Sequence, residues 1–143
     1  MNTQAGFLIS QIKSIGGRVF EKILANAQIS EFNGAQGKIL YALWQKDNIS
    51  IIELSKLVGL ANTTLTSMLD RMEEAGLIKR HSDPFDRRKN LIALTDKANS
   101  LHEKYEQVSQ EMSEVYYKDF TEEEIADFER YLQRVLKNVK EKI

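Results

Sequence analysis

The chain has 143 residues, a formal net charge of −1, 42% hydrophobic and 29% charged residues, which suits one soluble domain with one core and excludes an elaborate multidomain enzyme. It contains no cysteine, so disulfides, thiolate catalysis, thiol-based peroxide sensing and Cys-based metal sites are excluded together. The same absence fits a reducing, cytoplasmic compartment.

The first segment reads as a helix. Leu8, Ile12, Ile15, Val19, Ile23 and Ala27 recur at three- and four-residue steps and form one apolar face. Gly16-Gly17 weakens it locally, which marks either a close helix crossing or a kink beside a ligand site. The run Phe7-Leu8-Ile9 is too short for a signal peptide, and Ile39–Trp44 is too short to span a membrane. A loop around Ser30–Gly34 leads to a second helix, about 35–46, with Ile39, Leu40, Leu43 and Trp44 on its apolar face.

Ser50-Ile51-Ile52-Glu53 has the form of a capping box. It opens a short helix that runs to about Val58 and stops at Gly59. A further helix spans about 62–75 and stops at Gly76. Short helix, tight turn and second helix give a helix-turn-helix outline. Leu77–His81 and Leu91–Leu94 then read as two short strands. The turn-rich loop Ser82–Asn90 between them holds the only proline, Pro84. The fold class is therefore mainly α with a small β-hairpin wing: a winged helix-turn-helix with N- and C-terminal dimerisation helices.

The last third reads as helical. Leu94, Ala98, Leu101, Tyr105, Val108, Met112 and Val115 form a heptad-like seam. Thr121–Glu124 is a second capping box, and Ile125, Phe128, Leu132, Val135 and Val139 continue the alternation. A small winged helix cannot cover both seams, so they are expected to bury each other and a partner chain, making a homodimer through about 5–28 and 100–143. The expected organisation is one domain, 1–143, with a winged-helix lobe at 30–95 and dimerisation helices at 1–29 and 96–143.

Charge is uneven. Residues 1–49 carry +2, 50–95 carry +1 and 96–143 carry −4. Within 77–95, Lys79, Arg80, Arg87, Arg88 and Lys89 outnumber Asp83 and Asp86. Screening limits the reach of remote charge to roughly 10 Å, so this basic spot can grip phosphate on a slightly acidic chain.

The stretch Ile52-Glu53-Leu54-Ser55, Val58-Gly59-Leu60, Thr64-Leu65-Thr66, Leu69-Asp70-Arg71-Met72-Glu73, Gly76-Leu77-Ile78, Asp83-Pro84-x-Asp86-Arg87-Arg88 and Leu94-Thr95 closely resembles the MarR family of bacterial regulators. The resemblance implies an obligate homodimer on a pseudo-palindromic operator in duplex DNA, often released by a small phenolic or aromatic acid. Two departures stand out. Ala61 lies where the family often has a helix cap, so Asn62 is expected to cap instead. Ala98 replaces a common glycine. With two histidines and no cysteine, no metal site and no cofactor are expected.

On a helical wheel, Leu65, Met68, Leu69 and Met72 form an apolar stripe about 100° wide. Thr63, Thr66, Ser67 and Asp70 face the other way, where small hydroxyls fit a major groove. Asn62 and Thr64 lie near the helix start, which favours phosphate. Arg71 is on the flank, open to phosphate or to a neighbouring carboxylate. In the wing, Arg88 is assigned to the minor groove, with Asp86 holding its guanidinium bidentately and Arg87 and Lys89 on flanking phosphates. Phe85 either packs under the wing or meets sugar.

An effector site is expected where Gly16, Tyr41, Trp44, His102 and Tyr105 converge. The expected function is sequence-specific duplex-DNA binding as a transcriptional regulator, in the repressing direction. A winged helix serving only as a protein-interaction module is the alternative, but it calls for an acidic or apolar wing. An enzyme is not expected, since the chain has no nucleophilic cysteine, Gly-rich phosphate loop or His-x-x-x-His pair.

Overall fold

The structure, a computed structural model, describes residues 1–143. The elements run α1 (Ala5–Asn26), α2 (Gly34–Gln45), β1 (Ile49–Ser50), α3 (Ile51–Val58), α4 (Asn62–Glu74), β2 (Ile78–Asp83), β3 (Asp86–Leu94), α5 (Asp96–Ser100), α6 (His102–Tyr116) and α7 (Glu122–Lys140). Two compact units result, Met1–Ser109 and Gln110–Ile143.

In the first unit the core is wholly apolar. Ile39, Leu40 and Leu43 of α2, Leu54 of α3, and Leu65, Leu69 and Met72 of α4 are fully buried. Leu77, Ile78 and Ile92 from the hairpin join them, as do Ala98, Leu101 and Val108. The three-four spacing read on α2 and α4 therefore reports the buried faces. The first C-terminal seam is covered by this core from Leu94 through Val108, so the chain itself buries that part of one seam.

Gly16 and Gly17 do not interrupt α1, which is helical from Ala5 to Asn26. Gly16 is buried, whereas a Cβ at Gly17 would meet nothing within 4 Å. Two glycines cost about 2 kcal/mol of helix propensity, and a long helix flanked by apolar residues absorbs that. The N-terminal half of α1 leaves Phe7, Leu8, Ile9, Ile12 and Ile15 exposed.

Three local contacts fix the first helices. Asn33 and Gln36 form a reciprocal capping box at the start of α2, with N–H to oxygen distances of 2.8 and 3.0 Å. The Gly34 N–H also donates to Glu21 Oε1 of α1 at 2.6 Å. Gly37 makes room for an aromatic ring: a Cβ there would lie 3.1 Å from Tyr105 Cε2 and 3.4 Å from Phe32 Cδ2.

At α3 the box is half formed. Ser50 Oγ accepts the Glu53 N–H at 3.2 Å, but the Glu53 carboxylate goes to Lys46 Nζ at 2.5 Å. A cation outcompetes the Ser50 N–H for it, and Ser50 already belongs to a strand. Gly59 ends α3 in the left-handed region, φ +70°. Ser55 Oγ donates to the Leu60 carbonyl at 2.5 Å and closes the turn before α4.

The sheet has three strands in the order β1-β3-β2, all antiparallel. The two-residue strand β1 is too short to be seen by alternation. The hairpin is longer than its residue pattern predicts. Ser82, Asp83 and Asp86–Asn90, read as loop, belong to the strands, and the turn is only Pro84-Phe85. Polar residues mislead there because a wing extends beyond the core, so no face needs to be apolar. The register changes from Ser82↔Asn90 to Asp83↔Asp86, which leaves Arg87, Arg88 and Lys89 outside the pairing with β2.

In the second unit, Thr121 and Glu124 form the full capping box at α7, at 3.1 and 2.9 Å. No residue of α7 is buried. Phe128, Leu132, Val135, Leu136 and Val139 are all exposed. Tyr117 meets Phe120 and Phe128 edge to face, and the two phenylalanine rings are tilted to one another. Tyr117 donates its hydroxyl to Glu129 at 2.6 Å; burial first, then this bond, pushes the phenol up to about 12.

Candidate nucleic-acid interface

The helix α4 presents its polar side to solvent. Asn62, Thr63, Thr64, Thr66, Ser67, Asp70 and Arg71 are exposed, while Leu65, Leu69 and Met72 lie in the core. The start of this helix corrects one expectation. Asn62 is the first helical residue and Ala61 is the cap position, extended at φ −64°, ψ 149°, with no side-chain acceptor for the first-turn N–H groups. The Asn62 carbonyl instead accepts the Thr66 hydroxyl at 2.7 Å. That bond turns the Thr66 proton back onto the helix and leaves its lone pairs and methyl available.

Two acidic residues beside this face are engaged by one cation. Arg80, on β2, donates Nη2 to Asp70 at 2.7 Å and to Glu73 at 2.9 Å, and its backbone N–H reaches Glu73 at 3.1 Å. The Arg80 hydrogen bonds hold the Glu73 carboxyl below the usual carboxylate range. Arg80 therefore fastens the outward edge of α4 to the wing. In the sequence it reads only as a basic residue, because the ten-position separation of Asp70 and Arg80 hides the pairing. Asp70 and Glu73 are taken by Arg80, and Arg71 makes no ion pair.

In the wing, Asp86 holds Arg88 differently from expectation. A single oxygen, Oδ1, accepts the Arg88 backbone N–H at 3.1 Å and Nε–H at 3.2 Å. With the backbone N–H pointing at the same carboxylate, the two-residue spacing brings Nε, not the guanidinium fork, to Asp86. The Arg88 side chain is 91% exposed, with both Nη groups left free. These bonds, the side-chain one first, hold the Asp86 carboxyl below its ordinary value. Arg87 and Lys89 are exposed and carry no ion pair, and Phe85 is exposed rather than packed under the wing.

Thr95 closes the base of the wing. Its hydroxyl donates to the Gly76 carbonyl at 2.6 Å and accepts the Ala98 N–H at 3.2 Å, joining the end of α4 to the start of α5. Lys97 donates to the last-turn carbonyl of Ala75 at 2.8 Å. The pair Leu94-Thr95, noted in the sequence, thus has a mechanical role.

The other predicted group also assembles in part. Trp44 lies 4.7 Å from the His102 ring and 5.3 Å from Tyr105, and Tyr41 stacks on Tyr105 at 6.0 Å. Burial raises the Tyr105 phenol above its usual value. The Trp44 Nε1–H is buried without a hydrogen-bond partner. No group of three or more His, Asp and Glu is placed to hold a metal ion, and no helix is long and apolar enough to cross a membrane.

A helix-turn-helix, α3–α4, followed at once by the β2–β3 hairpin is a winged helix. The MarR family model matches residues 32–89 of the chain. The multiple antibiotic resistance protein MarR of Escherichia coli K12 is 30% identical over 132 residues, 92% of this chain and 90% of that protein. The chain is also 30% identical to the regulator TtmR of Methylorubrum extorquens, over 71% of this chain but only 50% of TtmR. Among solved structures, a mutant of Escherichia coli MarR complexed with operator DNA superposes with a TM-score of 0.80 at 30% identity, over 92% of each chain. The chain belongs to the MarR family.

Proposed function

We propose that this protein is a transcriptional regulator that binds duplex DNA as a homodimer, with α4 in the major groove and the wing in the minor groove. The observation that carries the reading is the α4–wing surface. Asn62, Thr63, Thr64, Thr66 and Ser67 are exposed, Arg80 occupies both neighbouring carboxylates, and Arg71, Arg87 and Lys89 remain unpaired. The uncapped first turn of α4 adds N–H groups that suit a phosphate. The likeness to a MarR complexed with operator DNA supports duplex DNA as the partner.

The dimer is proposed from two open apolar faces, one on α1 and one on α7, of a kind that monomers avoid. Two copies of α4 related by a two-fold axis call for a pseudo-palindromic site. A dimer seated on such a site near a promoter excludes other proteins, so repression is the proposed direction. Selection of bound fragments from genomic DNA, followed by titration at increasing salt, tests the reading. Binding whose logarithm falls steeply with the logarithm of salt is expected. No duplex binding, or binding indifferent to salt, would leave the protein-interaction reading in its place.

A second reading concerns control. The unpartnered Trp44 Nε1–H, set among Tyr41, His102 and Tyr105, supports a small aromatic acid as effector, with Gly16 of α1 on the proposed wall. Such a ligand releases DNA only by favouring a DNA-incompetent state, and coupling of about 1–3 kcal/mol weakens binding some 5- to 150-fold. A screen of phenols and aromatic carboxylates by thermal shift, with DNA affinity measured for each hit, tests it. Hits that leave DNA affinity unchanged would remove the switch.

A further inference from the structure

Phe85 stands at the tip of the wing and is 97% exposed. An aromatic ring held in water forgoes the burial that its surface favours. The tip is nevertheless built, not slack. Asp83 faces Asp86 in register, so the turn closes on two residues. Asp83 Oδ1 accepts the Phe85 backbone N–H at 2.9 Å, and Pro84 fixes its own φ just before it. The ring is therefore presented outward by a locked turn.

The neighbours of this ring define what it can meet. Arg87, Arg88 and Lys89, freed from pairing with β2 by the register change, follow within four residues. Their charges draw the tip toward phosphate. Between the phosphate rows of a minor groove, the apolar surface on offer is the deoxyribose faces and the edges of the base steps. Proteins that bind there use apolar wedges of this kind. A pocket on another protein would also take a phenyl ring, but three adjacent cations favour a polyanion.

We propose that Phe85 is an apolar DNA contact, seated against the deoxyribose walls of the minor groove while Arg87 and Lys89 hold the flanking phosphates. The inference rests on the DNA-binding reading above and deepens it. An apolar contact displaces no counterions, so its signature differs from that of an arginine.

The test titrates one selected duplex at several salt concentrations with wild type, Phe85→Ala and Phe85→Leu. Phe85→Ala is expected to bind roughly 5- to 30-fold more weakly at every salt, with the salt slope unchanged. Phe85→Leu should keep most of the affinity, and both variants should keep the thermal midpoint of the wild type. Equal affinity of Phe85→Ala and wild type would overturn the proposal. So would a loss accompanied by a shallower slope, which would mean that the ring merely places the cations. A change of molecular mass in light scattering for Phe85→Ala would assign the ring to a protein contact instead. Absence of duplex binding by the wild type would defeat the DNA reading itself, a different result from any difference between the variants.

Discussion

Asp86 accepts two donors from Arg88 with one oxygen, and this sets how the wing presents its charge. The bonds orient the stem of Arg88 and leave the guanidinium end free, which suits insertion into a narrow groove of negative potential. Arg88→Ala is expected to weaken DNA binding by about 1–3 kcal/mol, measured by titration at fixed salt. An unchanged affinity would show that the wing does not read DNA. The Arg80 pairing yields a pH prediction. Glu73 is held below its ordinary value by Arg80, so its folded form binds protons less readily than the unfolded chain. The stabilisation is therefore complete above the ordinary glutamate value, 4.5, and is lost as pH falls through the lowered folded value. Arg80→Met should lower the thermal midpoint at neutral pH, and its difference from wild type should shrink in acid. A difference that stays constant with pH would mean that Arg80 acts through packing alone.

At the scale of elements, the helices were legible wherever one face had to be buried. Leu65, Leu69 and Met72 are at helical spacing and are all fully buried, so the polar side of α4 could be assigned from sequence. The hairpin was legible in kind but not in extent. From Ser82 to Asn90 nothing is buried, so no alternation marks the strands. The Arg80 pairing was hidden for another reason, since ion pairs between a helix and a strand carry no sequence period. The Asn33–Gln36 cap could have been found, because its three-residue spacing is the signature of such a box. Gly37 could not, because its role lies in the Tyr105 ring packed against it. Gly37→Ala should destabilise the fold by about 1–3 kcal/mol, as overpacking does, read from the denaturant midpoint. An unaltered midpoint would mean that the Tyr105 ring shifts freely.

At the scale of the whole molecule, each compact unit leaves one apolar helix face open: α1 in the first and α7 in the second. Sequence periodicity located both faces but could not tell which seams the chain covers itself. The core at Ala98, Leu101 and Val108 closes one of them. A homodimer formed on the open faces carries two copies of α4 and two wings. Each copy of α4 needs its own stretch of major groove, and the two-fold axis relates the stretches. A hydroxyl-radical footprint on a fragment selected by the protein tests this most directly. The account predicts two protected half-sites of related, inverted sequence, about 10 bp apart centre to centre or a multiple of that, with minor-groove protection outside or beside them. Protection of one unrepeated, asymmetric stretch would contradict it.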